Sequence, residues 1–266
     1  MWVGLALALA LLVAAPLGAS PVTQVETTAP APKGSDPSRP AWPLAARLTG
    51  PTDRYVHGVL GDIPPFTTLE VEALACGACG HGFEGAFAVL PGDLVFEDVG
   101  PRLWDVTGDG RPEIVVVESD VARGARLAVW SYSGSGADLT RLAATPFIGQ
   151  PQRWLAPVGV GDFDGDGRIE IAYVDRPHLA RELVFARLEG GVLREIHRMA
   201  GFSAHRIGDT TITAAVRICA DGTADLLVPD AEWGRLMAVG GGAFVARDAG
   251  PMSAAALARA AGRPCR

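Results

Sequence analysis

Two segments of this chain read almost alike. Asp105-Val-Thr107-Gly-Asp109-Gly-Arg111-Pro-Glu113 runs into Ile-Val-Val-Val, and Asp162-Phe-Asp164-Gly-Asp166-Gly-Arg168-Ile-Glu170 runs into Ile-Ala-Tyr-Val. In each, oxygen-bearing side chains stand at loop positions 1, 3, 5 and 9, and a glycine at position 6 allows a sharp turn. Such a segment can wrap a hard cation that prefers carboxylate and carbonyl oxygens, calcium above all. An EF-hand would carry a bidentate Glu at position 12 and enter a helix, whereas position 12 here is Val116 or Tyr173 inside an apolar run rich in β-branched residues. These loops therefore turn β-hairpins, and a chain that repeats them is built from hairpins.

The repetition extends beyond the two intact loops. Asp109 and Asp166 lie fifty-seven positions apart, and a further fifty-five reaches Asp221 in Cys219-Ala-Asp221-Gly-Thr-Ala-Asp225. There, loop positions 5, 6 and 9 persist, but positions 1 and 3 have become Arg217 and Cys219. Stepping back forty-seven positions reaches Asp62, a single acid before the apolar segment 67–72. Short apolar runs at 67–72, 85–90, 114–118, 127–132, 155–161, 171–175, 183–188, 193–199 and 226–228 are separated by Gly, Pro and Asp. Many short strands with few helices imply an all-β domain. A period of roughly fifty residues suits a four-stranded antiparallel blade. The expected fold over residues 44–251 is a β-propeller of four such blades.

The flanks have a different composition. Residues 5–15 are an unbroken apolar run followed by Pro16 and small residues, the pattern of a secretory signal peptide cleaved after Ala19. That run is too short to cross a bilayer, so no transmembrane span is expected in the mature chain, which should be periplasmic or secreted. Residues 20–43 read as a Pro-rich linker and residues 252–266 as a tail with a short Ala-rich helix. A net charge of −7 with scattered basic residues argues against a nucleic-acid partner. The four cysteines permit disulfides in an exported protein. Cys76-Gly-Ala-Cys79-Gly-His81 reads as a short loop closed by a local disulfide or carrying two thiols, with a zinc or redox role as the alternative.

An apolar strand, Asp-x-Asp-x-Asp-Gly-x-x-Glu and a second apolar strand, as at residues 154–175 and again at 103–118, resemble the FG-GAP or VCBS repeat. That repeat is the calcium-loop blade of integrin-α-like propellers and of many exported bacterial proteins. The resemblance implies a propeller with about two calcium sites and a role in binding or adhesion. Carried over by position, one ion would be held by Asp162, Asp164, Asp166, Glu170 and the carbonyl of Arg168. The other would be held by Asp105, Thr107, Asp109, Glu113 and the carbonyl of Arg111. Thr107 offers a neutral oxygen, so the second site should bind more weakly.

Two further constellations recur. Glu118, Asp175 and Asp230 each end a second strand, as a rim of acids or as solvated strand ends. The connections between repeats carry Arg54 and His57, then Gln152, Arg153 and Trp154, then His205, Arg206 and Asp209. Such loops converge in a propeller, and His57, Arg153, His205 and Arg206 are the candidates for holding an anion or a carboxylate; capping strand ends is the plainer alternative. Neither a nucleophile beside its base nor a Gly-rich phosphate cradle is evident. The expected function is an exported calcium-binding module that is structural or binds a protein or carbohydrate; a hydrolase or lyase working at the channel mouth is the alternative.

Overall fold

The computed structural model describes residues 24–28, 42–74, 83–134 and 139–265. The expected signal peptide and the Cys76–Cys79 segment lie outside them, as does most of the expected linker. Within that linker, however, β1 (Val25–Thr28) pairs with β2 (Trp42–Pro51), so part of it belongs to a sheet.

The strands form three antiparallel sheets. The first, nine-stranded sheet begins as a meander of β1, β2, β3 (Phe66–Leu74) and β4 (Phe83–Val89). It continues with β5 (Leu94–Phe96), β6 (Arg102–Trp104), β7 (Glu113–Asp120), β8 (Gly124–Ser131) and β9 (Thr140–Ala144). Both β5 and β6 pair with β7, β6 opposite its start and β5 opposite its end. They act as one strand interrupted between them. Across the interruption the Glu97 N–H still donates to the Val117 carbonyl at 3.1 Å, and the Asp98 carboxylate accepts the Val117 N–H at 2.8 Å. Taken so, the nine strands are two four-stranded units fused through the single pair Phe66–Phe96. The second sheet is β10 (Leu155–Gly161), β11 (Glu170–Asp175), β12 (Glu182–Glu189) and β13 (Val192–Ala200). The third is β14 (Ala215–Ile218), β15 (Ala224–Pro229), β16 (Arg235–Gly240) and β17 (Val245–Pro251). The apolar runs of the sequence fall on these strands.

The units pack face to face, and the alternation of strand side chains shows how. Ile114 and Val116 of β7 join a core with Leu48, Leu69 and Val71 of the first unit. Val115 and Val117 point to the other face and join Ala156, Ala172 and Val174 of the second sheet. Burial on both faces is why β7, β11 and β15 read as continuous apolar runs, each full burial of a Val contributing roughly 1.5–3 kcal/mol. The two outermost faces are finished differently. On the first unit Arg47 pairs with Glu26, Glu70 and Glu72. On the third sheet Leu227, Leu236 and Ala238 are covered by Met252 and by Ala256, Leu257 and Ala260 of helix α1 (Ala254–Ala261). Ser253 caps that helix, its hydroxyl accepting the Ala256 N–H. Sheet-to-sheet closure of a four-bladed ring is not seen among the described residues. Nor is any helix of the described residues long and apolar enough to cross a membrane.

Because each unit runs up and down, successive connections alternate between two ends. The loops 105–113, 162–170 and 219–224 share one end, where a Cβ on Gly108 would lie 3.6 Å from Ile169 and one on Gly165 would lie 3.0 Å from the Gly242 Cα. The connections between units, and the turns between second and third strands, share the other. Strand β1 puts the first unit in the same phase, and that places Asp62 at the second end. The connection 52–65 there meets Gly208, whose N–H donates to the Val59 carbonyl at 3.0 Å. Gly61, at φ +62°, passes so close that a Cβ would lie 2.5 Å from the Gly208 oxygen. Asp62 is thus not the counterpart of the loop acids, contrary to the alignment by spacing; the strand hidden in the Pro-rich segment shifts the count by one.

Candidate functional site

The two intact loops share one hydrogen-bond plan. At position 1, Asp105 accepts the N–H groups of Gly108 and Gly110 at 2.7 and 2.8 Å, and Asp162 those of Gly165 and Gly167 at 2.7 and 2.9 Å. At position 9, Glu113 accepts from Val106 at 2.8 Å and Glu170 from Phe163 at 2.9 Å. At position 5, Asp109 and Asp166 take the N–H groups of Arg111 and Arg168 at 2.8 and 2.9 Å. The glycines at positions 4 and 6 have φ between +76° and +83°, which a side chain would strain.

Beyond the shared plan the loops differ in charge. In the later loop, oxygens of Asp162, Asp164 and Glu170 come within 4.8 Å of one another, a donor set that suits a hard cation. The buried Arg187 of β12 reaches into this cluster. Its Nε donates to Glu170 at 2.8 Å, Nη1 lies 2.9 Å from Asp166 and Nη2 3.2 Å from Asp164. Four carboxylates against one guanidinium still leave an excess of three negative charges for a cation to balance. Burial pushes the Glu170 carboxyl up, against the pull of Arg187. In the earlier loop, Asp105, Asp109 and Glu113 do not gather into such a group. Burial also pushes Glu113 up, helped by repulsion from Asp109 and Asp105, while the Val106 and Thr107 N–H groups oppose the rise.

In the eroded third loop, guanidinium groups stand against the acid of position 9. Arg217, at position 1, pairs with the fully buried Asp225 of position 9, Nη2 at 2.7 Å and Nε at 3.1 Å. Arg247 reaches the other oxygen of Asp225. Cys219, at position 3, is joined to Cys265 by a disulfide, which ties the end of the chain beyond α1 to this loop.

The acids that end the second strands are used internally. Glu118 is buried and accepts from Trp130 Nε1 at 3.0 Å, Arg126 Nε at 2.8 Å and Arg141 Nη1 at 3.1 Å. Asp175 pairs with Arg176 and Arg198, and Asp230 accepts the N–H groups of Gly234 and Arg235 in its turn.

At the opposite end from the loops, the inter-unit connections enclose a cleft of about 260 Å³ lined by His57, Gln152, Arg153, Trp154, Arg176 and His178, among others. The structure brings His57 and Arg153 together here. His205 lies behind the cleft: its Nδ1 is 3.1 Å from His178 Nε2, its Nε2 donates to the Asp209 carbonyl at 2.8 Å, and its ring packs against Trp154. Arg206 is turned to the ring of Trp233, 4.0 Å from its centroid. Burial pushes the His178 imidazole down to about 4, aided by the neighbouring His205, so it is neutral at ordinary pH. His178 and Glu97 carry no motif; the only signal for His178 is that second-to-third-strand turns share an end with the inter-unit connections.

No curated protein matches this chain. The FG-GAP-like repeat family matches residues 105–173, from the first acid of the earlier loop to the strand that follows the later one. That span holds both intact loops with their shared hydrogen-bond plan, so residues 105–173 are an FG-GAP-like repeat, consistent with an FG-GAP/VCBS repeat protein.

Proposed function

We propose that the chain is an exported, calcium-binding, propeller-type binding module, whose loops stabilise the scaffold at one end while the cleft at the other end meets a protein or carbohydrate ligand. The observation that carries the calcium reading is the convergence of Asp162, Asp164 and Glu170 within one loop of the matched repeat. Asp166 and the Arg168 carbonyl would complete that site. Asp105, Thr107, Asp109, Glu113 and the Arg111 carbonyl would form a weaker one. The bound ion would supply charge balance to crowded carboxylates. The Cys219–Cys265 disulfide supports export, since such bonds persist in oxidising compartments. A serine-type hydrolase would need a serine beside its base, and Ser119, next to the cleft's His57–Glu97 pair, donates to Glu97 at 2.6 Å and not to a histidine; the binding reading requires no such pair.

Thermal unfolding during a calcium titration, after chelation, tests this. At 100 times its Kd, each ion should add roughly 2.7 kcal/mol. Asp166→Ala should remove most of that gain in calcium and change little in chelator; equal losses in both would sink the calcium reading.

Glu113 provides a second check through pH. Its folded-state pKa is raised, so the metal-free fold binds this proton more tightly than the unfolded chain does. The associated stability is present on the acid side of the unfolded value and is lost as pH rises through the folded one. In chelator, Glu113→Gln should therefore flatten the fall in Tm as pH rises above the unfolded carboxyl value. In calcium, the same variant should melt lower than the parent.

A further inference from the structure

Beside the cleft, a buried carboxylate is paired with a histidine of its lining. Glu97 sits in the interruption between β5 and β6, 4 % exposed, and both its oxygens are engaged. Ser119 Oγ donates to Oε2 at 2.6 Å, and His57 Nδ1 lies 2.6 Å from Oε1. His57 is carried on the connection 52–65, which is fastened to the neighbouring unit. The Gln152 N–H donates to the Tyr55 hydroxyl at 2.9 Å, and the Gln152 side chain donates to the Val56 carbonyl at 3.1 Å. With Nδ1 committed to Glu97, Nε2 is the ring nitrogen left for the cleft.

The chemistry of the pair follows from counting protons. When the pair holds its full complement, the shared proton lies either on Glu97 or on Nδ1, and in both cases Nε2 carries a hydrogen and donates. When one proton leaves, Glu97 is ionised, Nδ1 keeps its hydrogen, and Nε2 becomes an acceptor. The pair thus switches one cleft atom from donor to acceptor. Burial favours the proton-rich state by pushing Glu97 up, against the lowering effect of His57 and Ser119.

Arg153 lines the same cleft. Its Nη1 donates to the Gln152 carbonyl at 3.0 Å, and among the described residues no carboxylate pairs with it. By contrast, Arg176 is held by both oxygens of Asp175. Among the described residues, none that lines the cleft is acidic, on a chain of net charge −7. Val59, Leu179 and Ile207 complete the lining; Leu179 and Ile207 are 61 % and 72 % exposed, an apolar rim uncovered among the described residues. The other titratable groups around the pair do not compete for the role. Asp98 is tied to Arg102, burial raises Tyr55 out of the ordinary range, and His178 stays neutral.

We propose that this cleft binds a small organic carboxylate, its charged end on the Arg153 guanidinium and the His57 Nε2–H, its apolar body against Leu179, Ile207 and Val59, with a proton taken up by the His57–Glu97 pair on binding. A neutral analogue gains nothing from Arg153, and an inorganic anion gains nothing from the apolar rim. This deepens the binding-module proposal and uses the same cleft. It does not involve the calcium loops, so the calcium titration and the carboxylate titration can fail independently.

The test is calorimetric titration of the calcium-saturated protein with benzoate, benzamide and inorganic phosphate. Benzoate should bind at about pH 5.5 and about tenfold more weakly at about pH 8, while remaining ionised throughout. Arg153→Gln, at a partly exposed site, should weaken benzoate about tenfold at both pH values and keep the pH dependence. His57→Gln should bind with little pH dependence. Absence of benzoate binding at the lower pH would overturn the proposal, as would benzamide binding as well as benzoate, phosphate binding in preference to benzoate, or an unchanged affinity in Arg153→Gln. If His57→Gln melts far below the parent, Arg153→Gln and the benzamide comparison still decide the matter.

Discussion

Glu118→Gln should be among the most destabilising single substitutions in this protein, lowering the free energy of unfolding by about 3–5 kcal/mol. The carboxylate is fully buried and satisfies three donors from two other strands: Arg126 of β8, Arg141 of β9 and the indole of Trp130. The amide keeps the volume but removes the charge and turns an acceptor face into a donor face. Two partly buried guanidinium groups would then face an N–H group, and leaving buried charge uncompensated is what makes such losses large. Urea unfolding of the variant in calcium checks this. A loss below about 1 kcal/mol would mean that Arg126 and Arg141 reach water in the folded state and that the burial argument fails.

Asp225→Ala should cost a similar amount, about 3–5 kcal/mol, with a different signature. Asp225 is the fully buried partner of Arg217 and Arg247, the tethered charges that stand where the other loops would use an ion. Its loss should be the same with calcium and with chelator, whereas the loss from Asp166→Ala should appear in calcium alone. Comparing the two variants in both solutions tests whether the intact loops depend on an ion and the third does not. A calcium-dependent penalty for Asp225→Ala would show that the third loop also takes up the ion.

The parts of this fold legible in the sequence are those set by local rules. Paired loops with glycine at two fixed positions require left-handed backbone there, and the runs after them are apolar on both faces because both faces are covered. Ser253 and Gly262 bracket a helix that composition alone suggests. What was not legible depends on the packing of distant segments. β1 looks like linker because four residues among prolines have no periodicity to show, and only its pairing with β2 makes it a strand. Without that strand in the count, spacing alone puts Asp62 at the wrong end of its unit. The interruption of β5 and β6 at Glu97 and Asp98 resembles a turn, since nothing local shows that Asp98 replaces a carbonyl in the ladder of β7. At the cleft, His57 and Arg153 could be selected because connections between units converge. The same rule also selected Arg206, which stacks on Trp233, and His205, which is buried behind His178. Glu97 is forty positions from His57 in the chain, and its role exists only where two units meet.

The acidic loops and the cleft lie at opposite ends of the strands, and this separates quantity from quality. A site that steadies the scaffold from the far end acts equally on molecules with a filled and an empty cleft, so it has no differential free energy with which to change the cleft's affinity. Ambient calcium would then set how many copies are folded and able to bind, without altering how any one of them discriminates between ligands. For such a protein the apparent affinity of every cleft ligand would fall by the same factor, the folded fraction, as calcium is withdrawn, while the ratio of affinities between any two ligands stays in place.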